Sequence, residues 1–328
     1  MDTNRIVRAS FEGKKVVVTG GAGFIGSHIV DRLIQEGALV EVIDNLSTGR
    51  LEYLSQHRGQ FAFHQKDILD RRAVSEILMD AHTVFHFAAN ADVRGGITNT
   101  RVDLEQNTIA THNVLEGCRE NGVSRIVFAS SATVYGEPSH YPTPESDWYP
   151  QTSLYGASKL ASEALIQAYS EYFSIQSFTF RFVSWIGERY THGVVFDFLE
   201  KLRSNPASLE ILGDGNQKKS YLYVKDGVEG IFQAITYSRE LKNILKLGHQ
   251  DMLTVTQVAD IITSEMGLLS VDYRFTGGAR GWLGDSPIVH LDTSRMRDFG
   301  WQPMTRNEEG IRRTTRFLLD HPEFFSRA

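Results

Sequence analysis

The chain has 328 residues, 41% of them hydrophobic and 23% charged, the balance of a globular protein with enough apolar material for a large core. Its net charge is −6 and no dense Lys/Arg block occurs, which argues against a nucleic-acid backbone as the main partner. The single cysteine, Cys118, rules out an internal disulfide, and no apolar run approaches the ~20 residues of a membrane span.

The opening run MDTNRIVRASFEGKK has no apolar stretch long enough for a signal peptide, so a cytoplasmic location is expected. KVVVTG (15–20) predicts a short buried strand. FIGSHIVDRLIQEG (24–37) carries Phe24, Ile25, Ile29, Val30, Leu33 and Ile34 at helical spacing and stops at Gly37. Strands are expected at 39–44 and 61–65, a helix at 71–81, a strand at 83–89 and a long helical run around 102–120. A strand at 125–131, a helix from Ser153 to Tyr172 and a strand at 177–182 follow. Beyond Phe182 the pattern loosens. Helices are expected at 194–204, 224–237, 254–267 and 308–320, with a strand running into a turn at 209–217.

Strand and helix in alternation predict an α/β fold, a Rossmann-type doubly wound parallel sheet with helices on both faces. Residues 1–182 are expected to form the dinucleotide-binding domain. Residues 183–328 would form a smaller mixed α/β substrate lobe, with part of 221–255 packing back on the first domain.

Ligands of such sheets lie beyond the carboxyl ends of the strands. Gly20, Gly23 and Gly26 fall three apart between a strand and a helix, where bare backbone amides and a helix N-terminus suit a pyrophosphate. No Gly-Lys-Ser/Thr follows, which disfavours a mononucleotide P-loop. Asp44 ends the second strand, placed to accept ribose hydroxyls and repel a 2′-phosphate, although Arg50 leaves NADP open. Asp67 and Ile68 suit an adenine; Asp67 or Asp70 suits a helix cap equally well. Ala88 and Ala89 allow either close approach to a cofactor or tight packing. Ser131 leaves the fifth strand where a substrate would lie. Tyr155 and Lys159 stand one helical turn apart, on one face. An ammonium beside a phenol lowers its pKa from near ~10, as a base at neutral pH requires. The alternative is a solvated helix surface. The eleven histidines show no metal-ligand pattern, His82 and His86 being strand residues, and no metal is expected.

TGGAGFIGS, DNLSTG, KDI, HFAAN, SSATVYG and YGASK stand in the order found in the extended short-chain dehydrogenase/reductases. Among these the chain most resembles nucleotide-sugar 4-epimerases of the UDP-glucose/UDP-galactose type. GDGNQKKSYLYVKDGVEG and RGWLGDSP carry the resemblance into the second half. The resemblance implies NAD as cofactor, contacted by Gly20, Gly23, Phe24, Ile25, Gly26, Asp44, Asn45, Ser47, Thr48, Gly49, Asp67, Ile68, Phe87, Ala88, Ala89, Asn107, Tyr155 and Lys159. It implies Tyr155 as base, Lys159 as its pKa-lowering partner and a ribose ligand, and Ser131 as the third, hydrogen-bonding member. Together they would oxidise a sugar 4-hydroxyl to a transient ketone that is reduced again from its other face.

Substrate contacts implied by the resemblance are Arg94, Ser131, Thr133, Ser184, Lys219, Arg280 and Asp285. Lys219 stands where the epimerases usually carry Arg, and it lacks the bidentate fork. Ser184 replaces a common Asn. Arg94 would either read the carboxylate of a UDP-uronic acid or form a salt bridge on its loop. The sugar 4,6-dehydratases carry Asp-Glu after the Ser/Thr. Here Ala132 and Thr133 follow, so elimination across C5–C6 lacks its acid and base. Alternatives are other 4-keto chemistry (a uronate epimerase, a decarboxylase or a 4-dehydrogenase) and a non-catalytic NAD-sensing protein. The family's pairing of the helices near 102–120 and 153–172 implies a homodimer, with neither a nucleic-acid nor a membrane partner.

Overall fold

Seven short strands rich in Val, Ile, Leu and Phe form one parallel sheet. The computed structural model describes residues 11–147 and 149–325. The signal-peptide expectation concerns a run whose residues 1–10 lie outside the described residues. The strands are β1 (Lys15–Thr19), β2 (Leu39–Asp44), β3 (Phe61–Gln65), β4 (Thr83–His86), β5 (Arg125–Ser131), β6 (Gln176–Phe182) and a seventh, Lys242–Leu247. Their spatial order is Lys242–Leu247, β6, β5, β4, β1, β2, β3. From β1 the chain winds out to β3, then crosses to β4 and winds the other way. The direction reverses between β1 and β4, where a crevice opens at the carboxyl ends.

The alternation of side chains explains the two layers. Val16 and Val18 join a core with Ile29, Val30 and Leu33 of helix Phe24–Gln35 and Ile231 and Phe232 of helix Val224–Tyr237. Val17 points the other way, joining Ile43, Val84 and Ile126 with Val74 of helix Arg71–Ile77, Val114 and Leu115 of helix Ala110–Glu120, and Ile166. With both faces covered, even the polar side of β6, Ser177, Thr179 and Arg181, is buried, and Arg181 is paired with Glu163.

The remaining elements stand over the crevice. Ser184–Ile186 pairs in parallel with Tyr221–Tyr223. Ser208–Ile211 pairs with Asp272–Phe275, and Lys218–Lys219 lies between Leu253–Thr254 and Ile288–Val289. The helix Val255–Glu265 starts at a capping box of Thr254 and Gln257. Within residues 221–255, the strand Lys242–Leu247 pairs with β6 over its full length.

Three elements end earlier or bend differently from their sequence pattern. Helix 71–81 stops at Ile77, and Asp80 takes a left-handed φ of 60°. The strand expected at 83–89 leaves the ladder after His86, and the Ala88 amide turns to the Thr19 hydroxyl at 3.2 Å. The run around 102–120 opens with a π-helical stretch, Leu104–Ile109, before the regular helix Ala110–Glu120. There Asn107 is drawn out of ordinary helical bonding: its carbonyl accepts from Thr111 and Ser162, and its side chain from the Asn90 amide.

Candidate active site

The glycine turn is shaped by close approach. Gly20 has a φ of 71°, and a Cβ there would lie 2.6 Å from the Ala88 amide nitrogen. A Cβ on Gly26 would lie 2.0 Å from the Gly20 carbonyl oxygen, so the helix can start this close to β1 only with glycine. Gly23 caps that helix, Phe24 is buried and Ile25 packs against the core. The turn therefore presents backbone and a helix N-terminus to the crevice.

Asp44, 8% exposed, closes the end of β2. Its carboxylate accepts the Ala22 amide at 3.0 Å and the Leu46 amide at 2.9 Å. Burial raises its pKa, against the pull of those two amides. A Cβ on Gly49 would lie 2.8 Å from the same carboxylate, so the loop through Asn45, Ser47 and Thr48 folds over it. Asn45 bonds Asp67 at 3.0 Å across the ends of β2 and β3. The helix cap falls to Asp70, which accepts from Ala73, while Asp67 accepts the Leu69 amide; Ile68 is buried. Arg50 turns away to the carbonyls of Glu323 and Phe324. Phe87 lies against Phe85 and Phe182, and Ala88 and Ala89 flank the crevice opposite Gly20.

This half of the crevice suits a dinucleotide. It offers a cradle that any Cβ would fill and a half-satisfied carboxylate where a ribose would lie.

At the next strand end Ser131 caps the turn Ala132–Tyr135 and accepts from Thr133 twice, from its amide at 3.2 Å and its hydroxyl at 2.9 Å. Tyr155 lies in the first turn of helix Leu154–Phe173, whose N-cap, Ser153, accepts the Gly156 amide at 3.0 Å. The Ser131 hydroxyl bears on the Tyr155 phenol, favouring its ionised form. Lys159 is 3% exposed; its Nζ donates to the Ala129 carbonyl at 3.0 Å and lies 4.9 Å from the centre of the Phe128 ring and 5.8 Å from that of Tyr155.

Electrostatics here differ from the sequence expectation. Burial pushes the Tyr155 phenol up to about 12, opposed by the nearby Ser131 hydroxyl and reinforced by the charge of Asp103. Burial also brings Lys159 down to about 8, with Asp103 and Glu163 holding it up. Lys159, occupied by the Ala129 carbonyl, is not what governs the phenol in this state.

On the substrate side Lys219 bonds Asp285 at 2.6 Å, and Asp285 also accepts the Gly281 amide at 3.0 Å. Arg280 is turned aside to Glu137. Arg94 and Lys219 approach one indole, Trp282, at 5.6 and 5.0 Å from its ring centre. Ser184 is exposed at the start of its strand, two residues beyond Phe182, the strand partner of Ser131.

Several residues went unnoticed in the sequence. Trp282 spans Arg94 and Lys219; its neighbours Arg280 and Asp285 were the available signal. Glu163 lies one turn beyond Lys159, buried, forked by Arg181 from β6 at 2.7 to 3.2 Å and bonded by Ser130. Its place four residues after a candidate lysine could have exposed it. Asp103 carried no such signal. Among the described residues no His/Cys/Asp/Glu group is arranged to hold a metal ion, and no helix is long and apolar enough to cross a membrane.

A doubly wound sheet with a glycine cradle at its switch point and a Ser–Tyr–Lys cluster beside it defines a nicotinamide-dependent enzyme of the short-chain type. The family model described as "NAD dependent epimerase/dehydratase family" matches residues 16–248, and the chain belongs to that family. It is 34% identical over 315 residues to a putative UDP-glucose 4-epimerase of Methanocaldococcus jannaschii, covering 93% of this chain and 99% of that one. A crystal structure of UDP-galactose 4-epimerase superposes with a TM-score of 0.85 at 37% identity, over 93% of this chain and 99% of the other. The UDP-glucose 4-epimerase of Thermus thermophilus, solved in complex with NAD, gives a TM-score of 0.84 at 31% identity, over 94% and 99%.

Proposed function

We propose that the protein is an NAD-dependent epimerase that inverts C4 of a UDP-hexose, UDP-glucose and UDP-galactose being the favoured pair. The observation that carries this is the cluster of Tyr155, Lys159 and the Ser131–Thr133 hydroxyl pair at the strand end, with Ala132 and Thr133, neither of them a carboxylate, directly after Ser131. Such a site can move a proton at one hydroxyl and has no second acid–base pair for a neighbouring carbon.

NAD, when bound, supplies the two-electron redox chemistry at C4. Tyr155 accepts the 4-hydroxyl proton and returns it to the inverted oxygen. Ser131, held by Thr133, bonds the oxygen at C4 as it changes between hydroxyl and ketone. Asp44 accepts from the adenosine ribose, and the glycine turn offers its amides to the diphosphate of the cofactor. Lys219, Arg280 and Asp285 bind the UDP portion, each cation exchanging a protein carboxylate for phosphate.

A uronate version of the same chemistry is the second reading. Among the described residues, Lys219 and Arg280 each have a carboxylate partner, whereas Arg94 has an aromatic one. Incubation with NAD and UDP-glucose, UDP-galactose or the corresponding UDP-uronates, followed by product separation, tests both. Interconversion of the hexose pair without NADH accumulation or carbon dioxide release is the expected result; turnover confined to the uronates would favour the second, and no turnover would sink both.

A homodimer and a cytoplasmic location belong to the same proposal. Leu154 and Phe173 on helix Leu154–Phe173, with Leu104 and Ile109 just before helix Ala110–Glu120, are exposed apolar residues that a second copy would cover. Light scattering of the purified protein reads the mass.

A further inference from the structure

Lys159 is buried as a cation, and a buried cation needs a counter-charge. Two carboxylates bear on it, Asp103 and Glu163. Glu163 is neutralised by the Arg181 guanidinium, which bonds both of its oxygens. Among the described residues Asp103 forms no ion pair of that kind, and Lys159 is the cation whose charge bears on it. It is 1% exposed, and its Oδ1 accepts from two neutral amides, Asn90 at 2.8 Å and Asn107 at 3.3 Å. Its Oδ2 is buried and has no hydrogen-bond partner among the described residues. Gly96 makes the room, since a Cβ there would lie 2.7 Å from that oxygen.

The same side chain is wired to the helix that carries the pair. Asn107, one π-helical turn on, donates to Ser158 at 2.9 Å, and Ser158 donates to the Tyr155 carbonyl at 2.8 Å. A half-satisfied buried carboxylate is destabilising by itself; its free oxygen lies against Gly96, and burial raises its own pKa while the charge of Lys159 opposes that rise.

We propose that Asp103 is a positioning residue for the Tyr155–Lys159 pair: its buried carboxylate is the counter-charge that keeps Lys159 an ammonium and Tyr155 a phenol in the resting enzyme. The inference rests on the reading of Tyr155 as the base. The charged and titratable groups facing these side chains are few. Lys159 meets Asp103 and Glu163, with His86 below it; burial holds His86 neutral, its pKa brought down to about 3. Asp103 meets Lys159 and Asp92, and Tyr155 meets Asp103. The sign follows directly. Removing one negative charge makes both Lys159 and Tyr155 lose their protons at lower pH.

The test is Asp103→Asn, which keeps the size and an oxygen for the two amides, with Asp103→Glu as the conservative control. The midpoint of Lys159 is read by NMR of protein labelled at the lysine Cε, the signal being assigned by its loss in Lys159→Met. In Asp103→Asn the midpoint should fall by on the order of one pH unit, and in Asp103→Glu it should stay near that of the parent. Both limbs of the kcat profile should move to lower pH in Asp103→Asn. Asp103→Ser repeats the measurement should the amide variant fold poorly. A slower enzyme with midpoint and limbs unmoved would mean a purely structural role and overturn the proposal. Equal shifts in the Asn and Glu variants would overturn it too. Tyr155→Phe separates the two levels: full turnover there would remove the base assignment, while the lysine midpoint would still judge Asp103.

Discussion

The two ends of the crevice are built from different materials. The cofactor end is backbone: a left-handed glycine, a helix N-terminus, two alanines and a carboxylate held by amides. The proposed substrate end is long side chains, and the two cations proposed to bind the UDP portion are paired with protein carboxylates, Lys219 with Asp285 and Arg280 with Glu137. Backbone cannot rearrange without breaking the sheet that carries it, whereas a lysine or arginine exchanges partners at the cost of a rotamer. The first end is pre-formed. On the proposed function the second exchanges a carboxylate for a phosphate.

The cluster between the two ends gives the largest predicted effect. Tyr155→Phe removes the proposed base for the 4-hydroxyl proton, and turnover should fall by roughly 10²–10⁴-fold. NAD affinity, measured by calorimetry, should hardly change, because the cradle is untouched. A variant with near-normal rate would mean that the proton travels by another route.

Gly26→Val attacks the rigid end. Its Cβ would overlap the Gly20 carbonyl at 2.0 Å, and neither β1 nor the helix can yield. Overpacking of this kind costs about 1–3 kcal/mol, and NAD affinity should drop by more than roughly tenfold. If thermal denaturation and binding were both unaltered, the turn would not be the tight contact described. Lys219→Ala attacks the adaptable end. The KM for the UDP-sugar should rise roughly tenfold with kcat nearly kept, the pattern of lost uniform binding. Lys219→Arg should restore or improve it, since the fork fits phosphate. A fall in kcat with KM unchanged would contradict the clamp.

This contrast also decides what could be read in advance. Gly20, Gly23, Gly26, Asp44 and the Tyr155/Lys159 spacing are local patterns, set within one strand–turn–helix unit or one helical turn, and a linear sequence displays them. The helices 194–204 and 224–237 were legible for the same reason. Pairings across the fold were not. Arg280 and Glu137 are 143 positions apart, and Lys219 and Asp285 are 66. Asp103 looks like a surface residue beside Arg101 until Gly96 and Asn90 close over it. The π-helical stretch at Leu104–Ile109 was invisible too, because it follows from bonds that Asn107 and its neighbours make to Asn90, Ser158 and Ser162. Local chemistry is written in spacing; counter-charges and helix irregularities are written in contacts.

The smallest expected effect turns the comparison on stability. Lys159 belongs to the pre-formed part and is buried as a cation, which costs free energy. A fall from 10.5 to about 8 corresponds to a burial cost on the order of 3 kcal/mol. With the folded pKa below the unfolded one, the unfolded chain binds more protons between those values, so stability from this group rises with pH through that window. The cost is therefore fully present below about pH 8 and is relieved as pH climbs towards 10.5. Lys159→Met, with a similar stem and no charge, should abolish turnover yet raise the melting temperature at pH 7 by a few degrees, and that gain should vanish near pH 10.5. Scanning calorimetry of the two proteins at about pH 7 and about pH 10 reads it directly. A variant less stable than the parent at neutral pH would mean that the bond to Ala129 and the charge of Asp103 offset the burial in full, and that the site stores no strain.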